Sequence, residues 1–420
     1  MDQKSVVILS LIFSPDNVST AQIMAGLAED LKKGGCGVKV VSTTPHFHRD
    51  PSLEAEQPLR WAFWPFVKKS DYHGVRVYHV PMPDKSIWPP LRLLSWIWFH
   101  IVSTFVCLFV GKIDVLIACT PPLTIGLGAW FVGVLKRCRY VFNVQEVYPD
   151  IAVNLGYMKN RLVIRFFKWL ERFIYKHAGA VTTITPSMYE KIVGRVADQA
   201  KVRLIPNYVE LGADAARSAS GPYQIDVQDG RAASPRRPSG ASGAGEHPFT
   251  VTYAGNMGVP QNLGVLVEAV RAMPDVRLLF VGDGGDRKRL EKLAEGMDNV
   301  EFRGYRPLSE MPGVYAESDL FYVGQDAHAA ADGIPSKIYR ILGARKPLVV
   351  VAPPDGDLAA FVRASGGGVA TTDEGLADTI RQMRTMDLAA IGEAGYRYVK
   401  DGFSREKITG MYAALVEELA

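Results

Sequence analysis

A chain of 420 residues that is 48% hydrophobic and 22% charged has the composition of an ordinary globular protein and the length for two domains with sizeable cores. Its net charge of +4 is too small to argue for a nucleic-acid partner. Cys36, Cys107, Cys119 and Cys138 lie in or beside apolar stretches at no metal-like spacing, so they read as small buried residues of a reducing compartment, and no metal site is expected.

The N-terminal "MDQKSVVILSLIF" carries an apolar run, but Asp2 precedes it and no small-residue cleavage site follows, so it reads as a first strand and not as a signal peptide. Val6–Phe13 is continuously apolar, as parallel strands covered on both faces are. A helix follows over Ser19–Gly35, then strands at Val38–Thr43, Gly74–Met82, Ile113–Cys119, Tyr140–Val144 and Ala180–Thr185, with helices between the later ones. The segment Leu91–Gly111, "LRLLSWIWFHIVSTFVCLFVG", approaches transmembrane length. If the strands on either side of it join one parallel sheet, it is their crossover helix and its two ends share one side of any bilayer. A helix that is buried, or partly sunk in a membrane surface with Trp96 and Trp98, is therefore expected over a spanning one.

Asn160–Gly179 repeats Arg161, Arg165, Lys168, Arg172 and Lys176 at steps of three or four, with Leu162, Phe166, Trp169, Leu170 and Phe173 on the adjoining face. A basic, aromatic, amphipathic helix suits an anionic membrane surface; a core-facing helix with a solvated outer face is the plainer reading. Residues 211–248 are rich in Gly, Ala, Ser and Pro with few apolar anchors, which reads as a flexible linker between domains 1–210 and 249–402. The helix of about 403–420 is expected to pack back on the first domain.

A second alternating series runs from Phe249 to "PLVVVA", so the fold class is α/β, two doubly wound Rossmann-like domains. Ligands of such sheets lie beyond the C-terminal strand ends. There the second domain carries "GNMGVPQN" (Gly255–Asn262), "GDGGD" (Gly282–Asp286) and "GQDAHAAADGIPSK" (Gly324–Lys337). Glycine loops admit an anion to backbone amides, and Ser336 and Lys337 add a hydroxyl and an ammonium, so these loops read as a phosphate seat. Glycine loops that merely turn the chain are common, and "GDGGD" fits neither the dinucleotide fingerprint nor the P-loop.

In order along the chain, "FSPDNVSTAQIMAGLAEDL", "TPPLTIGLGA", "NVQEVYPDIAVNLG", "IPNYVE", "YAGNMGVPQNLGVLVEA", "VGDGGDRKRLE", "FRGYRPLSEMPGVYAESDL" and "GIPSKIYRILGARKPLVVV" resemble glycosyltransferase family 4, retaining enzymes of the GT-B fold whose two domains face across a cleft. They look most like the subgroup that assembles O-antigen, capsule and exopolysaccharide sugars, L-fucosamine transferases included. The resemblance implies a nucleotide-sugar donor, with uracil as the base, on the second domain. It implies an acceptor carried on a polyprenyl diphosphate on the first, and a peripheral, monotopic protein on the cytoplasmic face of the cell membrane. No cofactor and no nucleic acid are implied.

By position, donor contacts fall to Gly255, Asn256, Met257, Gly258 and Gln261, to Gly282, Asp283 and Gly284, to Gly304, Tyr305 and Arg306, and to Gly333, Pro335, Ser336 and Lys337. Acceptor contacts fall to Asn17, Ser19 and Asp150, and catalytic roles to Glu146, Asp332 and His46. Glu146 and Asp150 read equally as helix caps, and His46 as a plain loop residue. Two departures stand out. The family's paired glutamates fall at Asp332 and Arg340, and its diphosphate-clamping Arg and Lys fall near Asn256 and Gln261. Lys337 must then carry more of the phosphate charge, helped by Arg306 or Arg287. The alternatives are a GT-B enzyme with a soluble acceptor, a nucleotide-sugar epimerase, and a non-catalytic nucleotide-sugar-binding scaffold.

Overall fold

Strands that are apolar at every position need cover on both faces, and the chain meets that demand twice. The computed structural model describes residues 3–47, 49–83, 89–154, 156–210, 248–307, 310–326 and 333–420. They form two units, Met1–Asn207 with Arg405–Ala420, and Tyr208–Ser404. The expected linker, 211–248, lies outside the described residues except for Pro248.

The first unit runs β1 (Ser5–Ser10), α1 (Ser19–Lys33), β2 (Gly37–Thr43), α2 (Pro51–Glu56), β3 (Arg60–Phe63), β4 (Val67–Tyr72), β5 (Val75–Val80), α3 (Pro89–Phe109), β6 (Val115–Cys119), α4 (Ile125–Lys136), β7 (Arg139–Val144), α5 (Asp150–Asn154), α6 (Arg161–His177), β8 (Ala180–Thr183), α7 (Pro186–Val193) and β9 (Val202–Leu204). Its sheet has the order β3-β4-β5-β2-β1-β6-β7-β8-β9 and is parallel from β5 to β9. The sequence signalled no hairpin, yet β3 and β4 form an antiparallel one against β5. Every residue of β3 is exposed, so this edge strand has no buried alternate positions to betray it. Since β5 and β6 run parallel in one sheet, α3 is their crossover helix, as the strand argument requires. Among the described residues no helix is long and apolar enough to cross a membrane. All four cysteines are free thiols; Cys107 and Cys119 are buried, but Cys36 and Cys138 are only half-buried.

The second unit runs β10 (Phe249–Ala254), α8 (Leu263–Arg271), β11 (Val276–Val281), α9 (Arg287–Leu293), β12 (Val300–Arg303), α10 (Met311–Ala316), β13 (Leu320–Gly324), α11 (Lys337–Gly343), β14 (Leu348–Val351), α12 (Asp357–Ser365), β15 (Gly368–Thr371), α13 (Leu376–Met383) and α14 (Leu388–Phe403). Its all-parallel sheet has the order β12-β11-β10-β13-β14-β15. The direction of travel reverses between β10 and β13, which opens a crevice beyond their C-terminal ends.

The last helix, α15 (Arg405–Leu419), returns to the first unit. Arg405 donates to both carboxylate oxygens of Asp30 (2.8 and 2.7 Å) and to Glu29 (2.6 Å) on α1, and the Thr409 hydroxyl adds a bond to Asp30 at 3.0 Å. Partial burial alone would raise the Glu29 carboxyl, yet hydrogen bonds from Arg405 and Lys33 hold it down to about 2. A depressed carboxyl contributes stability above its ordinary value of 4.5, and that contribution is lost as pH falls toward 2. Arg405→Ala should therefore lower the unfolding free energy by about 2 kcal/mol at neutral pH, and by less in acid. Urea denaturation at pH 7 and pH 3 reads this; an unchanged midpoint at pH 7 would mean that the other contacts of α15 hold it without Arg405.

Candidate functional site

The crevice of the second sheet lies between the loops after β10 and β13, and Lys337 reaches into it. Its ammonium lies 3.9 Å over the Tyr253 ring, at the end of β10. A Cβ on Gly255 would stand only 3.2 Å from the Lys337 Nζ, and Gly255 has φ +137°, so this position suits glycine twice over. The Tyr253 hydroxyl is fixed by donating to the Asn256 carbonyl. Among the described residues no carboxylate lies within ion-pair distance of Lys337. The residue keeps part of its surface, but its ammonium is deep among protein atoms, and desolvation lowers it to about 7. A cation so placed gains a great deal from an arriving anion.

The neighbouring glycines serve a purpose other than the one their sequence suggested. The Gly255 amide donates to the Val281 carbonyl (2.9 Å), and the Met257 amide to Asp283 (2.8 Å), so the β10–β11 ladder continues into the loops. A Cβ on Gly282 would meet the Gly255 oxygen at 2.1 Å, and one on Gly284 the Met257 oxygen at 2.3 Å. The Gly258 amide is taken by the Gln261 side chain at 2.9 Å, and the Gly284 amide by Asp283 at 2.8 Å. These glycines let two loop backbones touch; their amides are committed within the protein. Met257 turns its side chain into the core. Gln261 caps the loop where the resemblance implied a clamp, and Asn256 is exposed.

The remaining expected donor residues differ in availability. Buried Gln325 donates to the Gly333 carbonyl at 2.9 Å and so closes the loop between β13 and α11. Ser336 makes no capping hydrogen bond at the start of α11. Pro335 and Gly333 precede it, and Asp332 lies outside the described residues. Gly304, Tyr305 and Arg306 are exposed on the loop after β12, with Arg306 ion-paired to Glu310 at 3.1 Å. Arg287 is spent on Glu291 and on the Gly282 and Arg303 carbonyls.

The C-terminal edge of the first sheet gathers the other candidates. His46, in the loop after β2, is buried instead of solvated. Its Nδ1 lies 3.0 Å from the Thr44 carbonyl, and its amide donates to Asp16 at 3.0 Å. Asp16, which drew no attention in the sequence, also accepts from the Phe47 amide at 3.0 Å and so pins two loops together. Asn17 accepts from Gln22 (2.8 Å) and donates to Asp50 (3.3 Å) just before α1, whose first residue is Ser19. Glu146, half-buried, follows β7 beside Gln145. Gln145 bonds Asn143 (2.8 Å) and Asn207 (3.1 Å), and Asn143 bonds Thr182 (2.9 Å) and the Tyr412 hydroxyl of α15. Asp150 is committed to an ion pair with Arg195, which also holds buried Glu171 of α6 at 2.7 Å, so its carboxylate is occupied by a structural pair.

The outward faces of α3, α4 and α6 are unusual for helices that cover a sheet. On α3, Leu94, Ile97, Ile101 and Phe105 are exposed; on α4, Phe131, Val134 and Leu135. On α6 the five cations are exposed, and so are Leu162 at 76%, Phe166 at 54% and Trp169 at 57%. The plainer, core-facing reading of α6 fits Leu170, Ile174 and Tyr175, not these three. Trp96 is partly exposed, whereas Trp98 turns inward against the core. The face of α4 was missed because its mean apolarity reads as burial.

Residues 19–208 match the model of a glycosyl transferase 4-like domain, and residues 248–385 that of glycosyl transferases group 1. The chain is 25% identical over 362 residues to the putative colanic acid biosynthesis glycosyl transferase WcaI of Escherichia coli K12, covering 83% of each. It is 22% identical over 315 residues to the probable glycosyltransferase WbjE of Pseudomonas aeruginosa, covering 73% of this chain and 75% of that one. The fold is similar to that of Anabaena Alr3699/HepE, solved in complex with UDP, at a TM-score of 0.68, 14% identity and coverage of 99% and 100%.

The lowered ammonium yields a pH signature. An anion on Lys337 would raise its pKa, so affinity for a nucleoside diphosphate bound there should fall, with proton uptake, as pH rises from 7.5 to 9. Lys337→Arg should flatten that dependence; a flat wild-type profile in calorimetry would contradict it. Gly255→Ala should weaken diphosphate binding on the order of tenfold by displacing the ammonium, and unchanged affinity would separate the glycine from the site.

Proposed function

We propose that this chain, a GT-B glycosyltransferase built of a 4-like domain and a group 1 domain, moves a sugar from a nucleoside-diphosphate donor to a lipid-linked acceptor in surface-polysaccharide assembly. The observation that carries the donor half is the Lys337 ammonium, seated over Tyr253 and Gly255 at the strand-order reversal without a carboxylate among the described residues. UDP is the favoured nucleotide: the resemblance implies uracil, and Alr3699/HepE is solved with UDP. Polysaccharide assembly is supported by the relative named for colanic acid biosynthesis.

In this reading the leaving diphosphate gathers negative charge as the glycosidic bond breaks, and the preset Lys337 cation stabilises it, with the uncapped Ser336 hydroxyl beside it. Transfer with retention needs no obligatory protein base, because the departing phosphate oxygen takes the proton of the acceptor hydroxyl on the same face. Glu146 then orients the acceptor on the buried Gln145–Asn143 network, and His46 contributes to the same loop edge. Asp332 remains a candidate for orienting the sugar, while Asp150 is better assigned to holding Arg195.

The lipid-linked acceptor is supported by the exposed apolar stripes of α3 and α4 and the exposed basic and aromatic face of α6. Each cation near an anionic leaflet contributes roughly 1 kcal/mol. The chain then works as a peripheral protein on a membrane surface.

Thermal shift with UDP, GDP, CDP and dTDP tests the donor half: one diphosphate should stabilise the wild type and not Lys337→Ala, and equal shifts in both would remove Lys337 from the site. Glu146→Gln should lower turnover on the order of a hundredfold while leaving the donor Kd within about twofold, and a wild-type rate would reduce Glu146 to a structural residue. Arg165→Glu/Arg172→Glu should lose binding to anionic vesicles, and undiminished sedimentation with them would remove α6 from membrane docking.

A further inference from the structure

The tip of the β3–β4 hairpin exposes Trp61 at 46%, Phe63 at 66%, Trp64 at 72% and Phe66 at 37%. The Phe66 amide closes the turn on the Phe63 carbonyl at 2.8 Å, which throws Trp64 and Pro65 to the apex. Phe63 and Phe66 stack at 5.6 Å, so the tip is an ordered aromatic surface. Phe66 in turn stacks at 5.4 Å on Trp98, which faces the core from α3, so the tip is braced against the helix whose outer stripe is apolar. Four large rings on a short edge hairpin are costly in water and invite association.

The charges around the tip point to the occupant. Arg60 and Lys69 are directly opposite one another in the strand register, and both are exposed. Like charges at such a position destabilise a hairpin. Neither has a carboxylate within ion-pair distance among the described residues. Lys68 adds a third cation, 4.9 Å over the Trp61 ring. Aromatic rings at an apex with cations one step behind are the arrangement that suits a bilayer interface, where rings enter the headgroup layer and cations meet lipid phosphates.

We propose that the β3–β4 hairpin tip is a membrane anchor in its own right, inserting Phe63 and Trp64 into the interfacial layer of an anionic bilayer. This rests on the membrane half of the function proposed above, but on different residues, and it makes binding partly independent of salt. The basic stripe of α6 supplies attraction, and the hairpin supplies apolar burial.

The test is sedimentation of the full chain with phosphatidylcholine vesicles, with and without phosphatidylglycerol, for wild type and Phe63→Ser/Trp64→Ser, after urea midpoints confirm equal folding. The double variant should lose on the order of tenfold or more in partitioning onto both vesicle types, and the salt-resistant part of binding should vanish. As a milder check, Trp64→Phe should still bind but lose part of the quenching of tryptophan emission by brominated lipid. A double variant that binds as wild type does, or quenching unchanged in Trp64→Phe, overturns the hairpin anchor and leaves the α6 reading standing. A wild type that binds no vesicle overturns both. A wild-type dimer that the double variant converts to monomer, without vesicle binding, assigns the tip to a second copy of the chain and also overturns the proposal.

Discussion

A lysine ammonium held deep in a protein with no carboxylate beside it among the described residues is an unstable arrangement, and the crevice of the second sheet is organised around one. Tyr253 offers its ring face, which attracts a cation without neutralising it. Gly255 offers the absence of a side chain. Gly282 and Gly284 let the β11 loop press against the backbone of Gly255–Met257, so the floor under Lys337 is a braced pair of loops. Among the described residues the counter-charge is missing, and in the proposed function the donor diphosphate supplies it. In the proposed function this one charge stands in for the two clamping cations expected at Asn256 and Gln261, since a single well-desolvated charge does more than several solvated ones.

The first unit is organised by a different constraint. Its sheet buries β1, β6 and β7 almost completely, but the helices over it do not finish the job. α3, α4 and α6 cover the sheet with one side and show apolar residues on the other. A protein in water alone gains nothing from that. Cations are ranged along α6 and around the hairpin beside these apolar residues, which is the pattern on which the proposed membrane contact rests. Within this unit Arg195 ties Glu171, on the inner face of α6, to Asp150 at the start of α5, a short step along the chain from Glu146.

The alternating architecture was legible because parallel strands need continuous apolar runs and their helices need a 3.6-residue period; β1, β2, β7, β10, β11 and β13 announce themselves that way. The β3–β4 hairpin was not, because its register is set by pairing with β5 and not by any burial of its own. Lys337 was legible as a candidate phosphate ligand from a loop, a serine and a helix start. What its sequence could not show was Tyr253, about eighty residues earlier, whose ring becomes its neighbour only when β10 and β13 pair. The glycine loops were misread in their chemistry: their spacing suggested open amides, and the fold uses them for backbone contact. Asp16 and the Asn143–Gln145–Tyr412 network were invisible for the same reason, since each is assembled from distant segments.

A donor diphosphate received by Lys337 must recharge the ammonium, so proton uptake on binding reports the contact. UDP binding would be followed calorimetrically at pH 8 in buffers of different ionisation enthalpy, for wild type and Lys337→Arg. The wild type should take up a substantial fraction of a proton on binding, because an ammonium lowered to about 7 is recharged by the anion, and Lys337→Arg should take up none. A binding enthalpy independent of buffer in the wild type, or the same uptake in both proteins, would contradict it.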